Sequence, residues 1–216
     1  MAERRTVTPE VGGSTPPVPA QEVVLVTNNK KYQIIYADPP WDYKGQKQHT
    51  GVGGPASGGA TNHYKCLKLW QLKSLPVGEL AANDCLLFMW VTSPHLDQGM
   101  ELLKSWGFQY CTVGFVWNKE RVNPGFYTMS QHELCLIGKR GKIPKPRGAR
   151  NVRQLVKSLR KKHSEKPHEV RERIVEMFPS QTKIELFARH KVLGWDRHGD
   201  ETDSDVVFDL DAVYYK

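Results

Sequence analysis

Short runs of apolar residues, rich in β-branched and aromatic side chains, recur along the chain. Runs of this length and composition predict β-strands, and continuous rather than alternating apolarity predicts strands that are buried on both faces. The predicted strands are Tyr32 to Ala37, Cys85 to Val91, Thr112 to Trp117, Glu133 to Gly138 and Lys183 to Ala188.

Two amphipathic segments between these runs predict helices. Ser93 to Trp106 ends at Gly107, a residue that commonly terminates helices, and Pro167 to Phe178 begins with proline at a plausible first helical position. Their apolar positions are Leu96, Met100, Leu103 and Trp106 in the first segment and Val170, Ile174, Val175 and Phe178 in the second. Buried strands that alternate with helices predict an α/β fold, with a mainly parallel sheet and helices on both faces.

Three stretches show neither the strand pattern nor the helix pattern of apolar residues. Met1 to Gln21 is rich in Pro, Gly, Ser and Thr, which predicts a disordered N-terminal tail, with one domain over residues 22–216. Lys44 to Thr61 is a Gly-rich loop after the first strand. Lys139 to Lys162 is basic, with two prolines, and predicts a loop followed by a short extended or helical piece. Long loops at the carboxyl ends of strands are candidates for active-site lids.

The net charge of +8 is distributed unevenly. Fourteen of the 31 basic residues and three of the 23 acidic residues lie between Lys139 and Arg173, so this segment carries +11 and the rest of the chain −3. Such a concentration predicts a surface that meets a polyanion such as nucleic acid. The candidate phosphate contacts are Arg147, Arg150, Arg153, Lys157, Arg160, Lys161 and Lys162.

The cysteines and histidines show no metal-ligand spacing. Cys66, Cys85, Cys111 and Cys135 include no CxxC pair, and no HxH or HxxxH pair occurs, so we expect no metal. The last three cysteines adjoin apolar runs, which predicts reduced, buried thiols. There is neither an apolar leader nor a run long enough for a membrane helix. We therefore expect no membrane partner and an intracellular protein, in the nucleus if eukaryotic and in the cytoplasm if bacterial or phage.

The first predicted strand is followed by Asp38-Pro39-Pro40-Trp41, at the end where open α/β sheets bind ligands. Two prolines fix φ and remove two donors, so the turn presents carbonyl acceptors beside a carboxylate and an aromatic face. That set suits a planar base with an exocyclic amine, which Asp38 and a proline carbonyl would hold in a geometry able to attack a methyl donor. The alternative is structural: Asp38 caps the next segment and Trp41 belongs to the core.

These four residues resemble the catalytic motif of the MT-A family, which includes messenger-RNA adenine-N6 methyltransferases and related bacterial, phage and ciliate DNA enzymes. The resemblance covers about Val23 to Glu201 through an ordered series of motifs. They are Asn62-His63-Tyr64, Leu87-Phe88-Met89-Trp90-Val91, Gly114-Phe115-Val116-Trp117, Gln131-His132-Glu133, Gly138-Lys139-Arg140-Gly141, His163-Ser164-Glu165-Lys166-Pro167, Lys183 to Arg189, Gly194-Trp195-Asp196 and Gly199-Asp200-Glu201.

The resemblance implies a Rossmann-like methyltransferase domain with S-adenosylmethionine as cofactor. Asp38 would hold the target amine and face the donor's methionine part, Pro39 would supply a carbonyl, and Trp41 would line the base pocket. The other implied site residues are Pro40 in the catalytic motif, Tyr64 in the first lid, Arg140 and Lys166 near the cofactor, and Arg189, Asp200 and Glu201 at its ribose. The family commonly has Asn at the position of Asp200. Unlike Asn, the aspartate can accept but not donate a hydrogen bond.

We therefore expect an adenine-N6 methyltransferase of nucleic acid, with DNA favoured over RNA because the single domain and the Gly-rich loop resemble the bacterial, phage and ciliate members. Three alternatives stay open. The chain could methylate RNA, or it could be a non-catalytic nucleic-acid-binding subunit, because the family includes degenerate partners in heterodimers. It could also methylate a protein amide, against which Asp38 and the basic segment weigh. A methyltransferase-like partner subunit is compatible with each reading.

Overall fold

A computed structural model describes residues 29–42, 66–123, 127–159 and 165–208 and shows a seven-stranded sheet with helices packed on both faces. In chain order the elements are β1 (Tyr32–Ala37), α1 (Leu69–Ser74), α2 (Val77–Leu80), β2 (Ala81–Val91), a 3₁₀ turn (Ser93–His95), α3 (Leu96–Ser105), β3 (Gln109–Asn123), β4 (Ser130–Arg140), β5 (Leu155–Lys157), α4 (His168–Met177), β6 (Lys183–Leu186) and β7 (Asp196–His198). The α/β fold class is confirmed.

The strand order is β5-β3-β4-β2-β1-β6-β7. Neighbouring strands are parallel except at β4, which runs antiparallel to β2 and β3. Ala37, the last residue of β1, pairs with Met89 and Leu186, and Leu186 pairs with His198. The ends of β1, β2, β6 and β7 therefore meet at one side of the sheet, called here the carboxyl edge. The opposite side is the amino edge.

Two apolar cores cover the two faces of the sheet. Successive residues of β1 and β2 point to opposite cores, which is why both strands read as continuous apolar runs. Helices α1, α2 and α3 cover one face and α4 covers the other. Their fully buried apolar residues are Leu72, Val77, Leu80, Leu102 and Leu103 on the first face and Val170 and Ile174 on the second.

The predicted helices are present with small shifts at their ends. Gly107, with φ of +83°, follows α3, and Phe108 donates its N–H to the carbonyl of Leu103, 3.1 Å away. This is the left-handed helix ending that glycine favours, so the predicted stop is confirmed. Helix α4 begins at His168, with Pro167 immediately before it.

Some expectations differ from the structure or lie outside it. Cys85 and Cys135 are buried, but Cys111 is exposed, so its predicted burial is wrong. Strand β5 pairs only with Val116 to Asn118, which leaves the beginning of β3 at the margin of the sheet. The N-terminal tail, the Gly-rich loop and Tyr64 lie outside the described residues, and the 22–216 domain boundary stays a prediction. No helix among the described residues is long and apolar enough to cross a membrane.

Candidate active site

Asp38 directly follows β1 and lies at the carboxyl edge. Its Oδ2 accepts a hydrogen bond from Nζ of Lys166, 2.7 Å away, in the segment just before α4. The Asp38 side chain is 26% exposed. Burial raises the pKa of this carboxyl, and the ammonium of Lys166 opposes that rise. The structure thus joins two predicted site residues that stand 128 positions apart in sequence.

The ion pair continues inward through two further charged residues. Oε2 of Glu133 lies 3.4 Å from Lys166 Nζ, and its Oε1 lies 3.2 Å from Lys119 Nζ. The side chains of Lys166, Lys119 and Glu133 are 10%, 9% and 8% exposed. Burial alone would raise the pKa of Glu133, but the two ammonium groups hold it below its ordinary value. We call Asp38, Lys166, Glu133 and Lys119 the ion-pair chain.

The sequence did not lead us to two of the four members of the ion-pair chain, Glu133 and Lys119. Glu133 was named only as the start of a predicted strand and as part of a family motif, and Lys119 was not singled out at all. A signal was nevertheless present in the alternation of β3: Phe115, Trp117 and Lys119 occupy every second position, and all three are buried. A lysine that continues an inward-facing row of a strand requires a buried partner.

The two prolines of the motif form a tight turn. Trp41 donates its N–H to the carbonyl of Pro39 at 2.9 Å, which closes a γ-turn around Pro40. The carbonyl of Pro40 accepts the N–H of Leu67 at 2.8 Å. Each carbonyl therefore holds one backbone hydrogen bond already, and a carbonyl oxygen has a second lone pair for a ligand.

Trp41 is a core residue, as in the structural alternative stated above. It is 5% exposed, and its indole Nε1–H donates to the carbonyl of Trp90 at 3.2 Å. Its ring stacks on His95, with centroids 5.6 Å apart. Burial lowers the pKa of His95, whose Nδ1 lies 3.0 Å from the hydroxyl of Thr92. These contacts anchor the Pro39-Pro40 turn to the end of β2, and the additional role of Trp41 in a base pocket stays a prediction.

The ends of β6 and β7 bring together the residues that the resemblance assigns to the cofactor's ribose. Nε of Arg189 lies 3.7 Å from Oε1 of Glu201, and Asp200 is exposed beside them. A Cβ on Gly199 would lie 2.0 Å from the carbonyl oxygen of Ala188, so only glycine allows the two segments to approach this closely. The positive charge of Arg189 also opposes, to a small extent, the rise that burial causes in the pKa of Asp38.

Arg140 is not part of this cluster, and its predicted role near the cofactor stays a prediction. Because β4 is antiparallel, its last residue lies at the amino edge, where it pairs with Cys85. Ala37 pairs with Met89, four residues further along β2, which is about 13 Å at 3.3 Å per residue. The guanidinium of Arg140 instead donates to the carbonyl of Gly78.

The basic segment is divided between the two edges of the sheet, and the predicted phosphate contacts stay predictions. Lys157 is exposed at the end of β5, near the carboxyl edge. Arg147 and Arg150 flank backbone that hydrogen-bonds to the last turn of α4, and α4 ends at the amino edge. Arg153 lies between these positions, where its carbonyl accepts a hydrogen bond from Arg173. Arg160, Lys161 and Lys162 lie outside the described residues.

Comparison with known proteins identifies the family of this chain. The family model described as MT-A70 matches residues 32–201. The chain belongs to the MT-A70 family. It is 49% identical over 191 residues to the type II methyltransferase M.MunI of Mycoplasma sp, covering 84% of this chain and 82% of that protein. MT-A70 proteins are N6-adenine methyltransferases that act on DNA or RNA and generally use S-adenosylmethionine, which confirms the predicted family and reaction class.

More distant relatives are longer proteins. The chain is 30% identical over 196 residues to the N(6)-adenine-specific methyltransferase METTL4 of Mus musculus, covering 82% of this chain and 39% of that protein. It is 28% identical over 193 residues to the human N(6)-adenosine-methyltransferase catalytic subunit METTL3, covering 85% of this chain and 30% of that protein. Within the described residues, no group of three or more His, Cys, Asp or Glu side chains is arranged to hold a metal ion.

Proposed function

We propose that this MT-A70 enzyme transfers a methyl group from S-adenosylmethionine to N6 of adenine in DNA. The observation that carries the proposal is the meeting of Asp38, Arg189 and Glu201 at one edge of the sheet, where the adjacent strands β1, β6 and β7 end. The high identity to M.MunI over most of both chains supports a DNA substrate, because METTL3, named for adenosine, is far less similar.

The residues at the ends of β6 and β7 fit S-adenosylmethionine. Carboxylates accept hydrogen bonds from ribose hydroxyls, and Glu201 and Asp200 supply two of them beside the close approach of Gly199 to Ala188. Arg189, 3.7 Å from Glu201, offers a charged donor. When bound, S-adenosylmethionine supplies a sulfonium methyl group, which leaves sulfur for N6 while the amine loses one proton.

Asp38 orients the amine in this proposal. Lys166 holds Oδ2, which fixes the carboxylate and directs Oδ1 to one N–H of the adenine amine. The second lone pair of the Pro39 carbonyl accepts the other N–H. Two acceptors fixed on a stiff turn favour the pyramidal nitrogen that attacks a methyl group, and Asp38 is placed to receive the proton released.

The direct test is a labelled-methyl assay on single-stranded DNA, duplex DNA and RNA of the same sequence, followed by nucleoside analysis of the product. We expect the label in N6-methyladenine from DNA. Label found only in RNA would overturn the DNA assignment. Nucleic-acid binding without any binding of S-adenosylmethionine would instead favour a non-catalytic subunit. The partner subunit and the cellular compartment stay predictions.

Because the basic segment is divided between the two edges, removing one positive charge at each edge should change the salt dependence of DNA binding differently. Lys157→Ala, near the carboxyl edge, should weaken DNA binding and lower the slope of log K against log salt by about 1, since one phosphate contact is lost. Arg150→Ala removes the same charge from the amino edge and serves as the matched control, with an unchanged slope. Equal loss of slope in both variants would show that DNA follows the whole segment.

A further inference from the structure

We propose that Lys119 is a positioning residue for methyl transfer, which acts through Glu133 to keep the ammonium of Lys166 on Asp38. The inference rests on the proposed function of Asp38. Lys119 touches Glu133, and Glu133 touches Lys166, so the effect of Lys119 passes along the ion-pair chain.

The ion-pair chain alternates in charge and balances to zero. Its members come from four separate parts of the fold: β3, β4, the segment before α4, and the turn after β1. The successive N···O distances from Lys119 to Asp38 are 3.2, 3.4 and 2.7 Å. Three of the four groups are almost fully buried, and removing one member of such a set leaves a neighbour with a charge that water does not stabilise.

Lys166 is shared between two carboxylates of unequal exposure. Glu133 is the more deeply buried of the two, and it retains its charge because Lys119 supplies a second ammonium. Without Lys119, one ammonium would face two carboxylates. Lys166 would then move toward Glu133, which has less access to water, and its hydrogen bond to Asp38 would lengthen.

The position of Lys119 is fixed by β3. It follows Phe115 and Trp117 in the inward-facing row, and the next residue, Glu120, has φ of 52° and donates its N–H to Oδ1 of Asn118. The pairing register of β3 with β4 also shifts between Asn118 and Asn123. Lys119 is therefore the last residue of the inward-facing row before the strand becomes irregular.

Loss of Lys119 should also change the pH dependence of the reaction. The charged and titratable groups that act on Asp38 are Lys166, Glu133 and Arg189, and its own charge acts on Glu185 and Cys135. Loss of the positive charge at Lys119 makes the carboxylates harder to ionise, so their pKa values rise. Because the ionised form is active, the acid limb of the profile of kcat/KM against pH should move to higher pH.

The test is a double-mutant cycle between Lys119 and Glu133, measured as single-turnover methyl transfer to DNA. The variants are Lys119→Met, Lys119→Arg, Glu133→Gln and the double variant Lys119→Met/Glu133→Gln. We expect Lys119→Met to lower the rate about tenfold and to move the acid limb to higher pH. Lys119→Arg keeps the positive charge and should retain most of the wild-type rate. In the Glu133→Gln background, Lys119→Met should change the rate less than about twofold, because the carboxylate through which it acts is gone.

The measurements distinguish failure of the positioning role from misfolding of a variant and from failure of the proposed function. Equal losses from Lys119→Met in both backgrounds, with an unchanged acid limb, would overturn the positioning role. Thermal unfolding of each variant identifies any that do not fold. If Lys119→Met is one of them, Lys119→Arg and the double variant, which removes both buried charges together, still decide the question. Absence of methyl transfer by the wild-type enzyme would instead contradict the proposed function itself.

Discussion

Replacement of Asp38 by alanine is expected to lower the rate of methyl transfer a hundredfold or more, whereas the affinity for S-adenosylmethionine changes little. Removal of one oriented polar group at a reacting centre typically costs about 100-fold to 1000-fold in rate. The fold should survive, because Lys166 keeps a carboxylate partner in Glu133, 3.4 Å away. Single-turnover rates with DNA and calorimetric titration of the methyl donor measure the two effects.

Two further variants make this result specific. Asp38→Asn keeps an acceptor oxygen but loses the negative charge, so it should fall between wild type and Asp38→Ala. Asp84→Ala removes an exposed aspartate at the amino edge and should leave the rate unchanged. If Asp38→Ala transferred methyl groups within about tenfold of wild type, Asp38 would not be the residue that orients the amine.

The position of Asp38 could be predicted because it depends on local sequence. An apolar run ends in a stiff Pro-Pro turn, and β1 occupies the predicted residues without a shift. The meeting of Arg189 with Glu201 was implied by the family resemblance, and the parallel pairing of β6 with β7 accounts for it. In each case, the direction of a parallel strand decides which residues reach the carboxyl edge.

Arg140 could not be placed by the same reasoning. A buried strand has the same apolar pattern whether it runs parallel or antiparallel, so nothing in the sequence pattern indicated that β4 is reversed. That reversal carries Arg140 to the amino edge and brings Glu133, at the other end of β4, to Lys166. One topological fact thus separates Arg140 from Asp38 and brings Glu133, which had no assigned role, to Lys166.

The net charge of a segment likewise does not show where its residues lie in the fold. The +11 of the basic segment is a property of sequence order, but the chain covers both edges of the sheet within it. Elements α1, α2 and β7, which the sequence pattern did not predict, have only six, four and three residues, too few for their periodicity to be recognised. Tertiary packing of residues such as Leu72 and Leu80 determines them.

Replacement of Trp41 by alanine is expected to lower the free energy of unfolding more than either Trp41→Phe or Trp70→Ala. Its ring is enclosed by the core, stacks on His95 and donates to the carbonyl of Trp90, so the substitution leaves a cavity and an unpaired acceptor. Truncation of a buried aromatic residue typically costs about 3–5 kcal/mol. Alanine keeps the backbone N–H that closes the turn around Pro40, but the turn loses the ring that anchors it to Trp90 and His95. Asp38 should therefore lose its orientation, and kcat should fall together with stability.

Urea unfolding and methyl-transfer rates separate the structural role of Trp41 from a base-binding role. Trp70→Ala is the matched control, since Trp70 is 47% exposed on α1, and its free energy of unfolding should change by no more than about 0.5 kcal/mol. Trp41→Phe keeps an aromatic ring against His95 and loses the indole donor, so it should cost about 1–2 kcal/mol and retain most of kcat. Wild-type stability in Trp41→Ala, with KM for DNA raised alone, would instead place the ring in the base pocket and outside the core.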